Sequence, residues 1–571
     1  MAESFNARYL SFKEVADSFV RTKNFERLLS PCHTLLMGPR GCGKTTMLKM
    51  LHPQALSVIE DMANAPFWGV YVPSDRQWAM QLNSLDSIIS DGGASQRLSK
   101  AVVNLNFLYS LCDTFSTLLQ QANISEGEET FSFYQQLIEV WNIDKPIVPT
   151  MGAIKIKLKK YVAEISALFN NVSNNNELPF VGEAGLIELL TLGIEVFENA
   201  FDSNSLLGSR KRWAICIDEL EITPDWFRDY IMTCMRSVDQ RLFFKVTSIP
   251  VPSEQGDLTL KSSSSNDYEV IRTWIYNDAS RDEWRNFCYN YLQAYLLEKE
   301  GLSYEDFMNS LIPADFDYNY QSKQELLNKS LHELVKVDDG FYHFLLRNDA
   351  DPSADDILQS CKKTLRFTYG VIYSRLKSMQ NVSNHHATSR YYPYINDWLL
   401  YEYSDGSPRV FINIVKGLRQ LIVNSHNAGL KKIRLNDLSH LIVELSDNTL
   451  YNKFAYFPSL PIIYKEHFIT YKEILDYIGN YLSERLNGPE YILLPETLFT
   501  YESKELSEFV KLALTSGAII MIEDTTLYKG VRRGGKVFRL NYGLYPYYHY
   551  VKTTSRDVLL IEDIIDYMMT K

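Results

Sequence analysis

The sequence predicts an α/β fold: a parallel sheet with helices on both faces, a long helical insert, a helical region, and a C-terminal module of helices and short strands. Three observations predict it. The stretch "LLMGPRGCGKTTMLKML" (residues 35–51) runs from an apolar strand through a glycine loop into helical spacing. Residues 213–217 form a continuous apolar run that ends in Asp218-Glu219. A third such run, "LFFKVTSIP" (242–250), ends in Thr247 and Ser248. Unbroken apolar runs of this length suit parallel strands buried on both faces.

The glycine loop fits the pattern G-x-x-x-x-G-K-[ST] with Gly38, Gly43, Lys44 and Thr45. Glycines let the backbone turn so that its N–H groups converge on an anion. Gly38, Pro39, Arg40, Gly41, Cys42, Gly43, Lys44, Thr45 and Thr46 are therefore the candidate cofactor-binding residues, with ATP as the expected cofactor. Lys44 would reach the β- and γ-phosphates, and the Thr45 hydroxyl would bind Mg²⁺. The helix expected from about Thr45 to His52 turns its positive end to the same anion.

Asp218 stands at the carboxyl end of its strand, where α/β ligands bind, and is the second expected Mg²⁺ ligand. Glu219 is placed to orient or deprotonate an attacking water. The next helix begins at Thr223-Pro224-Asp225. Further strands are expected at "WGVYVPSD" (68–75) and at 268–276. Five strands with helices between them make a parallel sheet covered on both faces.

Composition bounds the rest. A chain of 571 residues is too long for one core, and two to four domains are expected. The net charge of -12 argues against a surface coated in basic residues for non-specific nucleic-acid binding. The seven cysteines are widely spaced and form no CxxC, so neither a disulfide framework nor a zinc site is expected. His385-His386 lack a metal partner at useful spacing. The opening "MAESFNARYL" holds no apolar signal core, and runs such as "GAIIMI" are too short to span a bilayer. A cytoplasmic location without a membrane partner is expected.

A fourth motif, "DGSPRVFINIVKGL" (405–418), follows in a helical region. With the loop Gly38–Thr45, the pair Asp218-Glu219 and the strand end Thr247/Ser248, its order resembles the AAA+ ATPases of the origin-recognition (ORC/initiator-like) type and the related STAND ATPases. The resemblance implies a P-loop (RecA/AAA+-type) sheet, a helical lid and a C-terminal winged helix. It implies that Gly406-Ser407-Pro408-Arg409 is a sensor-2 segment whose Arg409 reaches the γ-phosphate. It also implies that Thr247 or Ser248 senses that phosphate, and that Glu219 is the base for ATP hydrolysis. The chain departs from ring-forming members in one place: residues 251–267 carry no arginine to serve a neighbouring subunit. Arg228, Arg236, Arg241, Arg281 and Arg285 are the alternatives, no finger is assigned, and slow turnover is expected.

The expected domains are 1–276 for nucleotide binding, with an insert at about 95–205, then 277–445 for the lid and 446–571 for a linker and the winged helix. Within the insert, "IKIKLKK" (154–160) alternates apolar and basic residues and reads as a strand or as part of a charged helix. Near the C-terminus, a helix, a strand, a glycine turn and a strand follow one another. Lys529, Arg532, Arg533, Lys536 and Arg539 cluster around that turn without an acid among them, as a wing on DNA phosphates would require. Two functional expectations follow. One is an ORC-like ATP switch that acts on double-stranded DNA. The other is a STAND-like regulatory or anti-phage defence ATPase whose insert and winged helix bind a partner effector protein.

Overall fold

The computed structural model describes residues 7–73, 92–168, 185–236, 241–250, 268–300, 303–311, 323–361, 365, 367, 369–380, 398–447, 461–522, 536–553 and 555–571. The chain forms two compact units that divide at Thr273/Trp274, and the loop crest Pro39–Cys42 clusters with the second.

The first unit is built on five parallel strands: β1 Thr34–Met37, β2 Trp68–Val72, β3 Trp213–Ile217, β4 Leu242–Ser248 and β5 Glu269–Arg272. Their order is β2-β3-β4-β1-β5. β3 and β4 are buried along their whole length, as unbroken apolar runs require. In the register, Met37 lies opposite Ser248 and Ile217 opposite Val246, so the glycine loop and the acid pair leave the sheet at the same carboxyl edge.

The insert is helical. Gly92–Gln121, Glu128–Val140, Met151–Leu168 and Leu186–Ala200 are its helices. Phe115 and Phe197 stack at 4.4 Å and both meet Trp213 edge-on, which seats the insert on β3. Residues 154–160 lie within Met151–Leu168 and are not a strand. Three of their four lysines pair with acids, Lys155 with Asp113, Lys157 with Asp144 and Lys160 with Glu164, and Lys159 lies over the Tyr109 ring.

The second unit joins helices to short strands. Helix Pro408–Asn427 is capped by Ser407, whose side chain accepts from the Val410 N–H, and has Pro408 at its first position. Later come the hairpin β6 Pro461–Tyr464 and β7 His467–Thr470, then helix Tyr471–Asn487. β8 Leu498–Thr500, β9 Ile519–Ile522, β10 Val537–Leu540 and β11 Val558–Leu560 form a sheet in the order β11-β8-β10-β9. Phe411 and Leu418 from the helical region share one core with Ile474, Phe509 and Phe538 from the C-terminal module. A smaller core around Phe341 and Leu376 adjoins the buried ion pair of Arg375 with Asp338.

Candidate functional site

The loop begins where β1 ends: the Gly38 N–H donates to the Ser248 carbonyl at 3.0 Å, which ties the loop to β4. Gly41 and Gly43 have φ of 91° and 82°, a region open to glycine at little cost. Gly43 caps helix Lys44–Lys49, which has no side-chain cap. Lys44 is buried, and its Nζ donates to the Gly38 carbonyl, so the lysine closes the loop on itself. Thr45 and Thr46 are half-buried on the first turn. Cys42 is buried and in no disulfide among the described residues. Within the second unit, the Gly41 carbonyl of the loop crest accepts the Ser407 hydroxyl at 3.2 Å. A Cβ at Gly41 would lie 2.9 Å from that Ser407 Oγ and 3.7 Å from the Arg409 Cβ. Arg409 itself is exposed.

The acid pair is held by three neighbours. Asp218 Oδ1 accepts the Thr247 hydroxyl at 2.9 Å and the Glu219 N–H at 3.1 Å. Its Oδ2 accepts the Tyr71 hydroxyl at 3.0 Å. The Thr247 oxygen in turn accepts the Glu219 N–H at 2.7 Å. Thr247 therefore has its one proton committed to Asp218, and Ser248 gives its own to the Ile249 carbonyl. Burial, then the charge of Asp218, pushes the Tyr71 phenol well above its ordinary range, so it stays a donor. Glu219 is left-handed (φ 52°, ψ 49°), a strained conformation for a residue with a Cβ, of a kind that gathers at functional sites. Its Oε2 accepts from Arg8 Nη2 at 2.9 Å. Glu221 Oε2 is buried without a hydrogen-bond partner among the described residues; burial raises that carboxyl, and the Lys44 charge opposes the rise.

Lys49 ends the helix that Lys44 begins. Its Nζ donates to the carbonyls of Ala7 and Leu10 at 2.7 and 2.8 Å. Burial lowers its pKa, and the charges of Asp218 and Glu14 oppose that.

Tyr71, Arg8 and Lys49 are the residues that sequence reasoning missed. Tyr71 left a faint signal, as the polar member of the apolar run "WGVYV". Arg8 left none, since its partner is 211 residues away.

The basic cluster of the C-terminal module does not stay whole. Lys529, Arg532 and Arg533 lie outside the described residues. Arg539 is buried and paired with Asp405, so it is withdrawn from the set expected to meet DNA phosphates. Lys536 is half-buried. Of the arginines considered as fingers, Arg228 pairs with Asp225, Arg241 with Glu195, and Arg281 and Arg285 with Glu402. Arg236 is exposed.

A hollow of about 570 Å³, bordered by Ser30, Pro66 and Glu269, lies at the amino ends of β1, β2 and β5, away from the acid pair. Among the described residues, no group of three or more His, Cys, Asp or Glu side chains could hold a metal, and no helix is long and apolar enough to cross a membrane.

A family model described as ORC-CDC6-like matches residues 1–560 of the chain. None of the curated proteins matches it.

Proposed function

The chain belongs to the ORC-CDC6-like family, which implies a nucleotide-binding AAA+ protein, and from that premise we propose that it hydrolyses ATP as a slow molecular switch. One observation carries the reading: the buried Lys44 loop and the hydrogen-bonded group Asp218, Thr247 and Glu219 leave neighbouring strands at one sheet edge.

The loop Gly38–Thr46 suits a chain of phosphates. Its left-handed glycines leave room for close approach, and Gly43 at the head of helix Lys44–Lys49 brings no side-chain cap of its own. Lys44 would exchange the Gly38 carbonyl for phosphate oxygens. Thr45 and the Asp218 carboxylate are hard oxygen donors of the kind Mg²⁺ takes. When bound, that ion neutralises phosphate charge and orients the oxygens.

Glu219 is the proposed base. Its carboxylate takes one proton from water as the water oxygen bonds to the γ-phosphorus. The bond to the bridging oxygen breaks, ADP leaves, and the proton passes from Glu219 to solvent. Thr247 serves this step by fixing both acids. Arg409, beside Ser407 at the start of its helix, is the proposed sensor of the γ-phosphate.

The C-terminal module is read as a winged helix whose output is double-stranded DNA, through Lys529, Arg532, Arg533 and Lys536. The second reading, a STAND-like regulatory ATPase acting on an effector protein, draws on the insert: Ile147, Val148 and Ile156 are 103, 59 and 70% exposed. Apolar groups so exposed suit a protein partner.

The test is ATP hydrolysis by the wild type and by Glu219→Gln, with and without duplex DNA. Hydrolysis abolished in the variant, with ATP binding retained, is expected. An equally active variant removes Glu219 from the chemistry. A DNA response lost on reversing Arg532 and Arg533 to Glu supports the DNA switch; no response to DNA turns the search to a protein partner.

A further inference from the structure

We propose that the helical insert pairs this chain with a second copy of itself, the acidic helix of each insert lying on the basic helix of the other. The inference takes the exposed insert residues on which the effector reading draws and names a different occupant for them. It does not depend on ATP hydrolysis.

The insert divides its charge along the sequence. Residues 122–144 hold Glu126, Glu128, Glu129, Glu139 and Asp144 and no lysine or arginine. Residues 145–160 hold Lys145, Lys155, Lys157, Lys159 and Lys160 and no acid.

Each half also carries apolar side chains out to solvent beside its charges. On helix Glu128–Val140, Phe131 is 44% exposed, and Glu128, one turn before it, shares its face. On helix Met151–Leu168, Ile156 is exposed, and Lys159 and Lys160, one turn on, share its face. The segment before this helix is folded back along it. The Asp144 N–H donates to the Tyr161 hydroxyl at 2.9 Å, Lys157 Nζ lies 3.5 Å from Asp144, and Thr150 Oγ1 accepts the Ala153 N–H at 3.1 Å. Ile147 and Val148 are therefore held beside the first turns of the basic helix, with their side chains exposed. The result is an apolar ridge rimmed by lysines.

These lysines keep charge to offer. Lys160 and Glu164 form an exposed pair of the weak kind. Lys159 lies 4.7 Å over the Tyr109 ring, a contact that leaves its charge in place.

The charge pattern selects the occupant. A nucleic acid or an anionic membrane offers one sign of charge, so it would meet the lysines and be repelled by the acidic half. A second copy offers both signs, each with apolar groups beside it. The contact of one acidic helix with the partner's basic helix is made twice in a two-fold pair, because exchanging the copies reproduces it.

The experiment is sedimentation of the full chain over rising protein concentration, without nucleotide. The wild type is expected to pass from the mass of one chain to that of two. Lys159→Glu with Lys160→Glu should weaken the pair at least about tenfold, and so should Glu128→Lys with Glu129→Lys, because like charges then face each other. Mixed in equal amounts, the two variants should pair as the wild type does, since each reversed helix then meets its opposite. Ile147→Ser with Ile156→Gln should weaken the pair about tenfold by removing apolar contact alone. Raising ionic strength should loosen the wild-type pair, which reads the charges without any variant.

A wild type that stays a single chain at every concentration overturns the pairing and leaves the ATPase and effector readings standing. A pair indifferent to salt also overturns it. So do charge-reversed variants that pair alone as strongly as the wild type, or that stay single when mixed.

Discussion

Arg539 and Asp405 form a two-pronged ion pair, with Nη1–Oδ2 and Nη2–Oδ1 both 2.6 Å and side chains 4 and 0% exposed. The arginine also donates to the Ile275 carbonyl at 3.3 Å and lies 3.9 Å over the Tyr542 ring. Asp405 accepts the Tyr542 N–H at 3.1 Å. Asp405 and Gly406 are both left-handed and immediately precede Ser407, the cap of helix Pro408–Asn427. The pair thus fixes the turn that presents Ser407 and Arg409.

Arg539→Met should strand a buried carboxylate and cost about 3–5 kcal/mol, as breaking one side of a buried pair does. Arg539→Lys should recover little, because an ammonium cannot make the paired fork. The double change Arg539→Met with Asp405→Leu should recover most of the loss. Urea unfolding of the four proteins measures this; equal stability of wild type and Arg539→Met would refute it.

Thr247→Val keeps the shape and removes the hydroxyl that joins the acids. Asp218 loses a donor, and the Glu219 N–H loses its nearer acceptor, keeping only Asp218 Oδ1. A buried group left short of a partner costs about 1–3 kcal/mol. The expected outcome is a lower kcat for ATP hydrolysis with nucleotide affinity little changed, and recovery in Thr247→Ser. A loss of affinity alone would mean that Thr247 acts on the nucleotide and not through the acids.

The sheet and loop were legible because their signals are local. Apolar runs name the strands, and Gly38 to Thr45 lie within one turn of chain. Residues 154–160 read as a strand or as part of a charged helix, because alternate lysines imitate the period of a strand, and the helix is the reading the structure bears out. The longer spacing of Ile154, Leu158, Tyr161 and Ile165, all buried, shows the helical stripe that governs them, while Ile156 is exposed. Arg539 misled. A basic residue beside a glycine turn reads as surface until its acid is known, and Asp405 is 134 residues away. Tyr71 reaches Asp218 across 147 residues. Partnerships at that range come from the fold and leave no local pattern.

His52 predicts acid lability. Burial pushes its imidazole down to about 3, while the ring stacks on Phe12 and its Nδ1 accepts the Gln54 N–H at 3.3 Å. The unfolded chain takes up this proton near pH 6.5 and the folded chain does not. Stability therefore falls as pH drops from about 6.5 toward 3, by up to about 1.4 kcal/mol per pH unit from this group. His52→Asn keeps a capping acceptor and removes the titration. The stability difference between wild type and variant should shrink steadily below pH 6.5; a pH-independent difference would show that His52 is protonated in the fold.

Lys245 predicts the opposite end of the range. It sits within β4, and its Nζ donates to the carbonyls of Ser30 and Cys32 and to Thr34 Oγ1 at 2.6, 3.0 and 2.9 Å. Burial nevertheless lowers its pKa to about 8. Between pH 8 and 10.5 the unfolded chain keeps a proton that the folded chain has released, so this group adds stability as pH rises. The buried tyrosines act the other way. Burial raises the phenols of Tyr471 and Tyr550, so they stabilise the fold up to about pH 10 and lose ground above it. The informative window is therefore pH 8 to 10. There the wild type should gain stability relative to Lys245→Met by up to about 1.4 kcal/mol per pH unit, measured by urea unfolding at fixed ionic strength. A flat difference across that window would mean that the three oxygen partners hold the ammonium charged in spite of its burial.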